Sequence, residues 1–87
     1  PILFVHGKLD RTVRYADGLA AFHAVPWPKA MMAVTKGGHV AITKDFPPVI
    51  ATTTDFLRYA LYGDERARER LRSDATGSGR ATLIDDL

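Results

Sequence analysis

Ile2-Leu3-Phe4-Val5, an unbroken apolar run closed by His6 and Gly7, is the segment that most limits what this chain can become. Branched and aromatic residues without polar alternation suit a strand buried on both faces of a parallel sheet. Residues 7–14 are polar and include Gly7, Lys8, Asp10, Arg11 and Thr12, the composition of a loop at the strand's C-terminal end. Tyr15, Leu19 and Phe22 then recur at helical spacing, which predicts a short amphipathic helix from Tyr15 to about Ala24. Pro26-Trp27-Pro28 ends it, since neither proline can continue a helix. Ala30 to Thr35 is a second apolar run, with Met31 and Met32 as core residues. Strand, helix and strand of these lengths favour a right-handed parallel crossover.

The second half reads as helical. Lys36-Gly37-Gly38-His39-Val40 makes a tight, exposed loop. Pro47 and Pro48 start a helix whose apolar stripe runs through Val49, Thr53, Phe56, Leu57, Ala60 and Leu61, and Gly63 stops it. Thr52, Thr53 and Thr54 weaken its intrinsic propensity, so packing must hold it. A second helix is expected from Asp64 to about Ala75, with a thin stripe of Ala67, Leu71 and Ala75. Its arginines, Arg66, Arg68, Arg70 and Arg72, read as a solvated face with local ion pairs to Asp64, Glu65 and Glu69. Residues 76–87 begin Thr-Gly-Ser-Gly and are expected to form a flexible tail, leaving 1–75 as the structured part. The fold class is therefore α/β: two parallel strands, a crossover helix and C-terminal helices. Two strands alone leave apolar faces and unpaired edges, which favours marginal stability or self-association through the sheet edges.

Composition removes several function classes. The net charge of +2 comes from 12 basic and 10 acidic residues that are interspersed, so no basic stripe for nucleic acid exists. No apolar run approaches the ~18 residues of a membrane span. There is no cysteine, which excludes a thiolate nucleophile, a disulfide framework and sulfur-built zinc sites.

Asp10 follows the first strand and His39 the second. In a parallel sheet both loops open at the carboxyl ends of the strands, where α/β folds build their sites. A carboxylate bonded to one imidazole nitrogen fixes the tautomer and lets the other nitrogen move a proton to and from a hydroxyl nucleophile. Each residue also has a plainer reading: Asp10 as an Asx-turn former, His39 as an exposed loop residue. His6, at the end of a buried strand, reads as a supporting or internally satisfied histidine, and His23 as solvated. A His6, Asp10 and His39 metal site matches no dedicated spacing. Trp27 reads as a turn residue covering the core edge.

The segments Pro1 to Val13 and Gly37-Gly38-His39, with Pro26-Trp27-Pro28-Lys29-Ala30 between them, resemble the C-terminal part of an α/β-hydrolase. They are similar to bacterial serine esterases and lipases of the dienelactone-hydrolase-like branch, over roughly residues 1–75. The resemblance implies a doubly wound sheet, a carboxylic ester as small-molecule substrate, an acyl-enzyme route, and neither cofactor nor metal. It assigns Asp10 to the acid position and His39 to the base position of a Ser, Asp, His triad whose serine sits on a G-x-S-x-G turn. This chain departs from that pattern. Its only serines are Ser73 and Ser78, both after His39, and Gly77-Ser78-Gly79 lacks the strand before and helix after that a nucleophile turn needs. Opening at Pro1 directly into a strand, the chain reads as a C-terminal fragment with its nucleophile and oxyanion hole upstream, inactive when alone. The competing expectation is a truncated or degenerate module that acts in binding or assembly without catalysis.

Overall fold

Ile2–Gly7 forms strand β1, Tyr15–Ala24 helix α1, Lys29–Val34 strand β2, Pro47–Tyr62 helix α2, Glu65–Thr76 helix α3 and Ala81–Asp86 strand β3. The structure, a computed structural model, describes residues 1–40 and 46–87. Among the described residues the chain is a small α/β domain with a three-stranded mixed sheet in the order β1-β2-β3. β1 and β2 run parallel, with Ile2 opposite Lys29 and Gly7 opposite Val34. β2 and β3 run antiparallel, with Val34 opposite Ala81 and Lys29 opposite Asp86.

Alternation along β1 assigns its two faces. Phe4 meets Phe22 of α1 edge-on at 5.8 Å, and His6 meets Tyr15 at the same separation. Leu3 and Val5 point the other way, toward the cluster of Ala30, Met32, Phe56, Leu71, Ala75, Ala81 and Leu83 under α2 and α3. One helix thus covers one face and a helical hairpin the other. Phe22, Met31, Met32 and Leu71 are fully buried, and each such side chain contributes roughly 1.5–3 kcal/mol relative to exposure. β2 is the central strand and is buried from Ala30 to Val34.

Residues 76–87 are not a flexible tail. α3 runs to Thr76, a turn follows, and β3 adds an edge strand whose Ala81 and Leu83 face the core while Thr82 and Ile84 face out. The sheet is accordingly mixed and three-stranded where two parallel strands were expected. The cause is visible in the side chains. Period-two burial supplies an apolar face, and Arg68 clamps Asp85 with two bonds of 2.9 Å, so β3 is pinned from α3.

The charged face of α3 is also used differently from the local pairing expected. Arg70 reaches across to Asp55 of α2 at 2.9 Å, and Arg68 to Asp85, so these arginines join elements. On α2 the buried residues are Thr52, Asp55 and Phe56, while Leu57 and Leu61 are exposed. Val49, Phe56 and Ala60 of the expected stripe do pack on the core, and Asp55 beside them pairs with Arg70 of α3, while the two leucines face away. Between the helices Gly63 adopts φ 65°, and the Asp64 N–H donates to the Arg58 carbonyl at 3.3 Å, a glycine stop that reverses the chain within one turn. Asp64 then caps α3 by accepting from the Ala67 N–H at 3.1 Å.

Lys29 closes the other helix. Its Nζ donates to the carbonyls of Phe22 and Val25 at 2.7 Å and of His23 at 3.3 Å. These carbonyls lie at the helix's C-terminal end, where i+4 donors are missing, and that of Phe22 also accepts a cap N–H, from Val25 at 3.4 Å. A cation beside them also suits the helix dipole.

Candidate active site

Parallel pairing of β1 and β2 sets the loops that follow them side by side on one rim of the sheet. Two backbone bonds lock those loops together: Lys8 N–H to Val34 carbonyl at 2.9 Å and Leu9 N–H to Gly37 carbonyl at 3.0 Å. Gly7 is buried where they cross, and a Cβ there would collide with the backbone of Gly37 and Gly38. This close approach carries Asp10 and His39 into contact. His39 Nδ1 lies 2.9 Å from Asp10 Oδ2.

Asp10 serves both readings that its position allows. Oδ1 accepts from the Thr12 N–H at 2.8 Å and the Val13 N–H at 2.9 Å, an Asx turn that fixes the carboxylate plane. Oδ2 is thereby aimed at His39. Only 9% of Asp10 is exposed. Burial pushes its carboxyl pKa up, but the hydrogen bonds from His39, Val13 and Thr12 outweigh that and bring it down from 3.8 to about 2.

An ionised carboxylate only accepts hydrogen bonds, so Nδ1 of His39 carries a proton, and in the neutral ring the lone pair is on Nε2. The His39 side chain is 49% exposed, and Nε2 has no partner among the described residues. The second nitrogen is open to an incoming hydroxyl. The geometry is that of an imidazole oriented by a carboxylate that stays charged at every ordinary pH.

His6 stands behind the acid. Its Nε2 is 2.8 Å from the Val13 carbonyl and 3.4 Å from Asp10 Oδ2. A carbonyl can only accept, so Nε2 is the protonated nitrogen, and it ties the end of the Asx turn to β1. Gly18 of α1 makes room for the ring, for a Cβ there would strike His6 Nδ1 and Cε1. The sequence places His6 as a supporting residue, but its Val13 partner and its glycine seat carry no signal in the residue order. Among the described residues no group of three His, Cys, Asp or Glu side chains is arranged to hold a metal ion.

No serine meets His39 among the described residues. Ser73 donates to the Arg70 carbonyl within α3 at 3.0 Å. Ser78 accepts from the Arg80 N–H at 3.2 Å, in a turn preceded by a helix and followed by a strand. Trp27 is 63% exposed, so it is not a cover for the core edge. No helix among the described residues is long and apolar enough to cross a membrane.

Linkage gives the site a defined acid response. A carboxyl whose folded pKa lies below its unfolded value contributes stability that is complete above the unfolded value and is lost as pH falls through the folded one. For Asp10 that window runs from about pH 4 to about pH 2. The difference in urea midpoint between the wild-type chain and Asp10→Ala should be constant above it and shrink through it. A difference that shrinks at higher pH would show that the carboxylate is not held as the hydrogen bonds imply.

Comparison of this chain with family models, with curated proteins and with solved structures finds no match.

Proposed function

We propose that this chain supplies the acid and base, Asp10 and His39, of an α/β-hydrolase triad that cleaves a carboxylic ester. The serine nucleophile and the oxyanion-hole donors come from another polypeptide segment. The observation that carries the reading is the 2.9 Å contact of Asp10 Oδ2 with His39 Nδ1 at the C-terminal rim of two parallel strands, with Nε2 left open. Further support comes from β1, which among the described residues pairs on one side only and leaves Ile2 to Val5 half-buried, an edge suited to a neighbouring strand.

In the reaction, His39 Nε2 accepts the proton of the serine hydroxyl as its oxygen attacks the ester carbonyl. The imidazolium is stabilised by Asp10 and returns the proton to the departing alcohol. Water then attacks the acyl-serine with the same nitrogen as base, releasing the acid and the free serine.

The 87-residue chain by itself should not accelerate p-nitrophenyl ester hydrolysis above a His39→Ala control. Joined to the coding segment immediately upstream in its reading frame, it should hydrolyse the ester, and His39→Ala should abolish the gain. An upstream segment without a G-x-S-x-G turn, or a joined protein indifferent to His39, would sink the proposal and leave a non-catalytic module as the reading.

A further inference from the structure

Beside the Asp10–His39 pair lies a cavity of about 450 Å³ that neither residue lines. Its position follows from the strand order. Because β3 returns antiparallel to β2, the end of one and the start of the other meet at the same rim, joined by the Thr35 N–H to Arg80 carbonyl bond of 2.9 Å. The 35–37 turn and the 79–80 turn form the walls, and Val34 and Phe46 supply apolar surface.

The charged residues that line it, among those described, are both cations. Lys36 follows β2 and Arg80 precedes β3, and no acidic residue lines the cavity among the described residues. Arg58, Arg68 and Arg70 each reach a carboxylate. Among the described residues Lys36 and Arg80 form no such pair and no side-chain hydrogen bond. Gly79 holds φ +74°, with nothing within 4 Å of where a Cβ would stand, so the wall beside Arg80 stays open. Two cations without a partner among the described residues, over an apolar floor and in a space of small-ligand size, are complementary to an anion with an apolar body.

We propose that this cavity binds a small organic carboxylate, its anionic group between Lys36 and Arg80 and its apolar or aromatic body against Val34 and Phe46. The site is independent of ester cleavage and needs neither Asp10 nor His39. Benzoate is the probe, followed through the backbone amide resonances of the 87-residue chain. Benzamide serves as the neutral isostere and inorganic phosphate as the compact anion. Benzoate should shift the amides of Lys36, Gly37, Gly79 and Arg80 saturably, more tightly than either comparison compound. Lys36→Gln and Arg80→Gln, both at exposed positions, should each weaken it about tenfold, and added salt should weaken it further. Benzamide binding as tightly as benzoate would overturn the role of the cations. Phosphate binding as tightly would overturn the role of the apolar floor, and unsaturated or scattered shifts would overturn the site itself. The comparison of the three compounds on the unmodified chain stands however the variants fold.

Discussion

Asp10→Asn should switch the protonated nitrogen of His39 from Nδ1 to Nε2, and in the joined enzyme it should cut ester hydrolysis by about 10⁴-fold. The carboxylate accepts two backbone N–H groups on Oδ1 and the imidazole on Oδ2. An amide offers one accepting atom and one donating group, so it cannot serve both sides. Turning its oxygen toward His39 would set its NH₂ against the Thr12 and Val13 N–H groups, two donor-to-donor contacts that no rearrangement of the backbone protons can relieve. Turning the oxygen toward the backbone sets the NH₂ against His39 Nδ1, and that conflict disappears if the imidazole changes tautomer. The second arrangement costs less, and it leaves Nε2 protonated and unable to act as base. Ring nitrogen chemical shifts of His39 read the tautomer in the 87-residue chain without any activity. His39 remaining protonated at Nδ1 in the variant would break the link from the 2.9 Å contact to the chemistry.

Where the residue order carried the answer, the signal was local. β1 was legible because four apolar residues end at Gly7, α1 because Tyr15, Leu19 and Phe22 share a face, and the Gly63 stop because an αL residue there is almost always glycine. Asp10 and His39 were legible as a pair because parallel strands send the following loops to one rim. β3 was not, since its alternation is short, follows a glycine-rich turn and ends in Asp85 and Asp86, and the arginine that holds Asp85, Arg68, stands 17 residues away. The stripe of α2 was legible at Val49, Phe56 and Ala60, which pack on the core, and not at its edge. Leu57 and Leu61 flank that stripe and are exposed, while Asp55 on the buried side is held by Arg70 of α3. Lys29 carried no local mark of its role, because the carbonyls it closes are brought to it by the crossover. Pairwise facts of this kind depend on partners distant in sequence, and periodicity cannot supply them.

Gly7→Ala should dismantle the site while Gly38→Ala, in the facing loop, leaves it intact. Neither glycine has a positive φ, so backbone freedom is not the issue. Space is. A Cβ at Gly7 would fall on the carbonyl of Gly37 and within 2.7 Å of the Gly38 oxygen, all backbone atoms with no rotamer to turn aside. Relief requires the end of β1 to leave the 37–38 segment, which means stretching the Lys8 to Val34 and Leu9 to Gly37 hydrogen bonds. Overpacking of this kind costs about 1–3 kcal/mol or more, and for a domain of this size each kcal/mol lowers the melting temperature by about 4–8 °C. Asp10 rides on the displaced segment and His39 on the fixed one, so the hydrogen bond between them should be lost with it, visible as disappearance of the His39 Nδ1–H resonance. At Gly38 a Cβ meets nothing within 4 Å, so its variant should melt with the wild type and keep that resonance. A Gly7→Ala chain that melts with the wild type and retains the His39 signal would show that the close approach of the two loops does not hold acid and base together.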